Sequence, residues 1–213
     1  IWQDAGMVAG TANAPAAPAR PWLGARTDRE GEVEFLGSWS PATHWQLAEH
    51  RVVGGDCVLP GTGHLELMTA AVQAVADTPC VTLQRVEFLS PLVFPRDAER
   101  QVAVLVRRVR EGFEVSVHSA PVGENELHQR TTHARAVGVA TTQGVDLVDI
   151  AAWRREATAV APANSDQGRH VAFGPRWQCI QAVHTGPAVA VGDLQLPAPF
   201  VADLAAHALH PAL

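Results

Sequence analysis

The sequence predicts an α+β fold in which one apolar helix is wrapped by a curved antiparallel sheet. Two observations carry this. Several segments alternate apolar and polar residues with the period of a half-buried strand. Between them lies "GHLELMTAAVQAVA" (63–76), where Leu65, Leu67, Met68, Ala71, Val72 and Val75 cover most of a helix circumference. A helix that is apolar nearly all round has to be enclosed by other structure.

The elements follow in chain order. "AGTANAPAAPARP" is rich in Ala and Pro and reads as a linker, so 1–20 is set apart from the packed chain. "EVEFLGSWS" places Val33, Phe35, Gly37 and Trp39 on one strand face. The helix comes next, and "VTLQRVEFLSPLVFP" is β-rich but broken by Pro91. "RQVAVLVRRVREGFEVSVHS" reads as two strands joined by a turn at Glu111-Gly112. Val102, Val104 and Val106 share one face of the first strand, and Phe113, Val115 and Val117 one face of the second. "THARAVGVA" is another strand. The stretch 141–168 is polar and bears Ala and Pro, and reads as a connection. The β-like segments "HVAFGPRWQCIQAV" and "AVAVGDLQLP" follow within 169–213. One helix embraced by antiparallel strands is the hot-dog arrangement, and 21–140 is one such unit.

Composition removes several function classes. The chain has 213 residues, a net charge of −6 and no run near the roughly 18 apolar residues of a membrane span. The charge argues against a general nucleic-acid binder. Cys57, Cys80 and Cys179 are odd in number and far apart, which suits a reducing, cytoplasmic setting and no zinc site. All 16 basic residues are arginine and there is no tyrosine. That excludes a Schiff-base lysine, a phosphate-loop lysine and a Tyr-Lys dehydrogenase pair. No nucleophile elbow and no dinucleotide fingerprint is present. The N-terminus lacks the pattern of a secretory signal, and the initial Ile reads as the start of a piece of a longer polypeptide.

Three motifs remain. "HRVVGGDCVLPG" begins at His50, "FGPRWQ" spans Phe173 to Gln178, and "LHPAL" spans Leu209 to Leu213. In this order they resemble the HxxxGxxxxP, YGPxFQ and HPxLLD motifs of the dehydratase domains of modular polyketide synthases. The resemblance covers roughly 20–213. It implies a double hot-dog fold whose second unit begins at 169 and is incomplete here. It also implies that His50 is the catalytic base and that the acid is an aspartate two residues beyond Leu213. Gly54, Pro60, Gly61, Gly174, Pro175, Trp177 and Gln178 are then expected to contact substrate. There are departures: five residues instead of four separate Gly54 from Pro60, which predicts a one-residue bulge beside the site. Phe173 and Trp177 stand where the family has Tyr and Phe.

The implied chemistry suits these residue types. Loss of water from a 3-hydroxyacyl thioester needs a base at the α-carbon and an acid at the hydroxyl. A histidine of ordinary pKa about 6.5 is mostly neutral at pH 7, and burial keeps it so. The first amides of the helix, at Gly61 to Gly63, offer N–H groups for the charge developing on the thioester oxygen. The resemblance further implies a substrate carried on the phosphopantetheine of an acyl carrier protein, no cofactor or metal in the domain itself, contacts with other domains of the same synthase, and a homodimer. Asp203 precedes the HPAL turn and reads as a solvated loop acid. "RRVR" (107–110) reads as a solvated strand face, with carrier docking as the other reading. Two alternatives share the fold: a dehydratase that also closes an oxygen ring, and a non-catalytic scaffold domain.

Overall fold

A tight two-residue loop starts the main sheet. In the computed structural model, which describes residues 20–95, 98–122, 130–141, 148–160 and 166–213, β1 (Ala25–Arg29) and β2 (Glu32–Trp39) pair across Glu30-Gly31. A four-residue helix α1 (Trp45–Ala48) follows, then the short strands β3 (His50–Val52) and β4 (Cys57–Val58). The long helix α2 spans Gly61–Ala76. After it come β5 (Val81–Phe88), β6 (Val93–Phe94), β7 (Arg100–Val109), β8 (Gly112–Pro121) and β9 (Thr131–Ala140). Val109 pairs with Gly112, so the β7–β8 loop is Arg110-Glu111, one residue earlier than the sequence suggests.

Strands β1-β2-β7-β8-β9-β5 form one six-stranded antiparallel sheet, and α2 packs on it. Leu67, Met68, Ala71 and Val72 of the helix are essentially without exposure, set with Phe35, Val104, Val106, Val115, Val117 and Ala134 of the strands. This apolar seam is what drives the sheet to curl round the helix. Helix and strand come so close at one place that a Cβ on Gly138 of β9 would press on Val72. An extra residue in β5 between Gln84 and Glu87 bends that edge strand against β9.

Two polar side chains of α2 are also buried, His64 and Glu66. So is Glu34 of β2, which is paired with Arg130 and lies 3.4 Å from Arg29. The alternation in β2 marks its core face and leaves this second burial unmarked, because the closer of the two arginines, the buried Arg130, arrives from just before β9, far along the chain.

The remaining chain adds α3 (Ile150–Arg155), β10 (Thr158–Val160), β11 (Val171–Phe173), β12 (Ile180–Thr185) and β13 (Ala190–Leu194). Strands β10-β12-β13 form a three-stranded sheet, so the stretch read as a connection contributes a strand of its own. β11 instead joins β3, β4 and β6 in a four-stranded sheet, which ties the later chain to the earlier one. A 3-10 segment, Ala198–Ala206, leads into the final turn. The linker reading of 1–20 lies outside the described residues except for Arg20. Among the described residues, no helix is long and apolar enough to cross a membrane.

Candidate active site

His50 opens β3, and its ring is oriented by the facing strand. Nδ1 lies 2.9 Å from the carbonyl oxygen of Val58. A carbonyl can only accept, so Nδ1 carries the proton and Nε2 keeps its lone pair. The side chain is half-buried, and burial pushes the imidazole below its ordinary 6.5, against the opposing pull of the Val58 carbonyl. The ring is therefore neutral at pH 7, with Nε2 able to take a proton.

The first two motifs meet here. β11 pairs with β3 in a register that sets Phe173 directly opposite His50. The chain then turns through Pro175–Trp177 and brings the Trp177 ring to 5.4 Å from His50, with the Phe173 ring at 5.6 Å. The two aromatic rings also meet each other, with centroids 5.4 Å apart, so the imidazole packs against one side of a three-ring cluster. Gly174 makes the turn possible: its N–H donates to the Glu49 carbonyl at 2.9 Å, and a Cβ there would fall inside the Glu49 side chain.

Arg176 locks this corner. Its guanidinium pairs with Glu49, the residue before His50, and with Asp203 at 2.7 Å, and it lies over the Trp45 and Phe200 rings. Asp203 is accordingly a partner of Arg176 and not the solvated loop acid that its position before the turn suggests. The pairing also holds its carboxylate to a structural task.

The third motif packs beside the other two. Trp45 stacks on His210 with ring centroids 5.2 Å apart, and the Cys179 thiol donates to the Ala212 carbonyl at 2.9 Å. The Thr62 hydroxyl of α2 donates to the Pro211 carbonyl at 2.6 Å. Glu66 accepts from the N–H groups of Ala208, at 2.8 Å, and Leu209. Burial raises the Glu66 carboxyl while those two N–H groups and Arg20 pull it back down.

The expected substrate-contact residues divide. Gly174 and Trp177 lie against Glu49 and His50. Pro60 and Gly61 directly follow the strand that holds the His50 ring and begin α2, whose N-cap Pro60 makes no side-chain cap, leaving the first amides without that partner. Pro175 and Gln178 are exposed. Gly54 is elsewhere: it occupies the exposed tip of the β3–β4 hairpin at φ +71, with nothing within 4 Å of a Cβ built on it. The additional residue between Gly54 and Pro60 is absorbed at this tip. Val52 N–H donates to Asp56 O at 3.0 Å and Arg51 pairs directly with Cys57, so no bulge displaces the histidine. The expected bulge is corrected on this ground, because a glycine-bearing loop takes up an inserted residue at less cost than a paired strand does.

Glu49, Arg176, Thr62 and Glu66 were not singled out in the sequence. Only Glu66 left a signal there, as a charge in the middle of an otherwise apolar helix. Among the described residues, no cluster of His, Cys, Asp and Glu has the arrangement of a metal site. Of the arginines in 107–110, Arg107 pairs with Glu32 at 3.1 Å and Arg108 lies over Phe113. Surface hollows lined by Ile150, Ala151, Arg154 and Arg155, and by residues of β5, β8 and β9, lie on elements that carry none of the three motifs.

Comparison with known proteins agrees across sequence and structure. A family model described as "Polyketide synthase dehydratase domain" matches residues 20–120, and one described as "Polyketide synthase dehydratase N-terminal domain" matches residues 148–213. The polyketide synthase GfsB of Streptomyces halstedii is 30% identical over 229 aligned residues, which take in the whole chain and 4% of that protein. The chain thus spans a small fraction of the curated relatives it matches. The dehydratase domain from the CurK module of the curacin polyketide synthase superposes with a TM-score of 0.80 at 22% identity, covering 92% of this chain and 70% of that one. The dehydratase domain from the terminal module of the rifamycin polyketide synthase gives 0.70 at 27% identity, covering 85% and 68%. The fold is that of these domains, a double hot-dog whose second unit is incomplete in the present chain.

Proposed function

This chain belongs to the dehydratase domains of modular polyketide synthases, and from that premise we propose that it removes water from a 3-hydroxyacyl thioester to leave a 2,3-enoyl thioester. The substrate is carried on the phosphopantetheine of an acyl carrier protein within the same synthase. His50 takes the α-proton on Nε2, and the first amides of α2 at Gly61 and beyond receive the charge that develops on the thioester oxygen. The C3–O bond breaks as an acid protonates the departing hydroxyl, and water leaves. By resemblance that acid is an aspartate two residues beyond Leu213. Pro60, Gly61, Gly174 and Trp177 form the wall along which the acyl chain approaches. The first hot-dog unit is taken as 21–140 and the second as starting at 169. The domain works in the cytoplasm as a homodimer and needs no cofactor of its own.

One observation carries this reading: the Nδ1–H bond of His50 to Val58, which leaves Nε2 unprotonated on a ring that packs against Phe173 and Trp177. The test is His50→Ala in the complete domain, assayed on a 3-hydroxyacyl thioester. A positioned base supplies about 10² to 10⁴-fold, so a loss of that size with an unchanged circular dichroism spectrum is expected. Conversion near the native rate would show that His50 is not the base.

A further inference from the structure

We propose that Thr62 and Glu66 of α2 are positioning residues that clamp the loop 208–211 and so set where the acid of the elimination stands relative to His50. This rests on the dehydration reading above. The two side chains lie one helical turn apart on the same face of the helix. Glu66 is 2% exposed, and its two carboxylate oxygens accept from two successive backbone amides, Ala208 at 2.8 Å and Leu209. Thr62 donates to the carbonyl of Pro211 at 2.6 Å. The loop is therefore held on both sides of His210 by one rigid element.

A buried carboxylate is an expensive way to fill space, and an apolar side chain would pack α2 as well. What the carboxylate adds is geometry. An acceptor-only fork fixes two adjacent N–H groups at once, which a neutral amide cannot do without turning a donor against one of them. The same helix also carries the reference for the base, because Val58, which orients His50, is two residues before the Pro60 cap. The base is thus registered to α2 through β4, and the loop that leads toward the proposed acid is registered to the same helix through the clamp. An error of about an ångström between such groups costs on the order of a hundredfold in rate.

The test uses the complete dehydratase domain with Glu66→Gln and, as a second variant that keeps the charge but shortens its reach, Glu66→Asp. Two reactions separate acid from base: loss of water from a 3-hydroxyacyl thioester needs both, whereas exchange of the α-proton of a saturated acyl thioester with deuterium oxide needs only the base. The expected result is water loss slowed roughly ten- to a hundredfold in kcat, KM within about twofold, and α-exchange within about twofold of native. Equal loss in both reactions, or no loss in either, overturns the proposal. Amide hydrogen exchange at Ala208 and Leu209 reads the clamp without turnover. Faster exchange there in Glu66→Gln, with the six-stranded sheet unchanged, is expected, and native-like exchange at those amides overturns the clamp. A native domain with both amides protected that neither exchanges the α-proton nor loses water would instead sink the dehydration reading and leave the clamp standing.

Discussion

Protonation decides whether His50 can do what we propose for it. Only the neutral ring accepts a proton, and burial holds its pKa below the ordinary 6.5. The reactive form is therefore present above that lowered pKa and is lost as pH falls through it. The expected kcat/KM profile of the complete domain falls on the acid side with its midpoint below the ordinary histidine value of about 6.5. An acidic limb centred at or above pH 7 would show that the group titrating is not this histidine. The surroundings of His50 serve the same end: the Phe173 and Trp177 rings cover part of the imidazole, and Arg176 keeps Glu49, the nearest carboxylate in sequence, engaged elsewhere.

At the scale of elements, α2 is both the core and the frame of the site. Met68 has no exposure and is surrounded by apolar groups, while Glu66, two residues earlier, is equally buried but has two N–H partners. The contrast predicts the outcome of placing a charge at the first position. Met68→Asp puts an unpaired carboxylate where nothing donates to it, at a cost of several kcal/mol, comparable to the whole stability of a domain. The expected result is a protein recovered unfolded or aggregated, checked by urea titration of soluble material. A Met68→Asp variant that unfolds cooperatively at the native urea midpoint would mean that α2 is not enclosed as described.

At the scale of the whole molecule, the buried histidines set the pH range of stability. His64, His118 and His207 are pushed down to about 4, and His44, His50, His133 and His210 are also lowered, in every case chiefly by burial. Between the unfolded value of about 6.5 and the folded value near 4, the unfolded chain binds more protons than the folded one. Stability is thus complete above about pH 6.5 and falls as pH drops toward 4. Glu66 is raised and opposes this trend, but it is one group against several. The urea midpoint is expected to decline steadily from pH 6.5 to 4, and His118→Asn, which removes one of the strongly shifted rings, should flatten the decline. A midpoint constant over that range would contradict the burial of these rings.

Periodicity within the chain determined α2, β2, β7, β8 and β9, because each element shows its buried face to its own neighbours in sequence. The three motifs, in order, were enough to indicate the family and to mark His50. Tertiary structure decided the rest. It chose β11 as the partner of β3, which sets Phe173 opposite His50, and it moved the inserted residue of the first motif to a hairpin tip. It also gave Glu34, Glu66 and Asp203 their partners. The physical reason is the same in each case: a buried charge or a short strand is stabilised by groups that packing brings from far along the chain, and such a partner leaves no repeat or spacing in the sequence near the residue it satisfies.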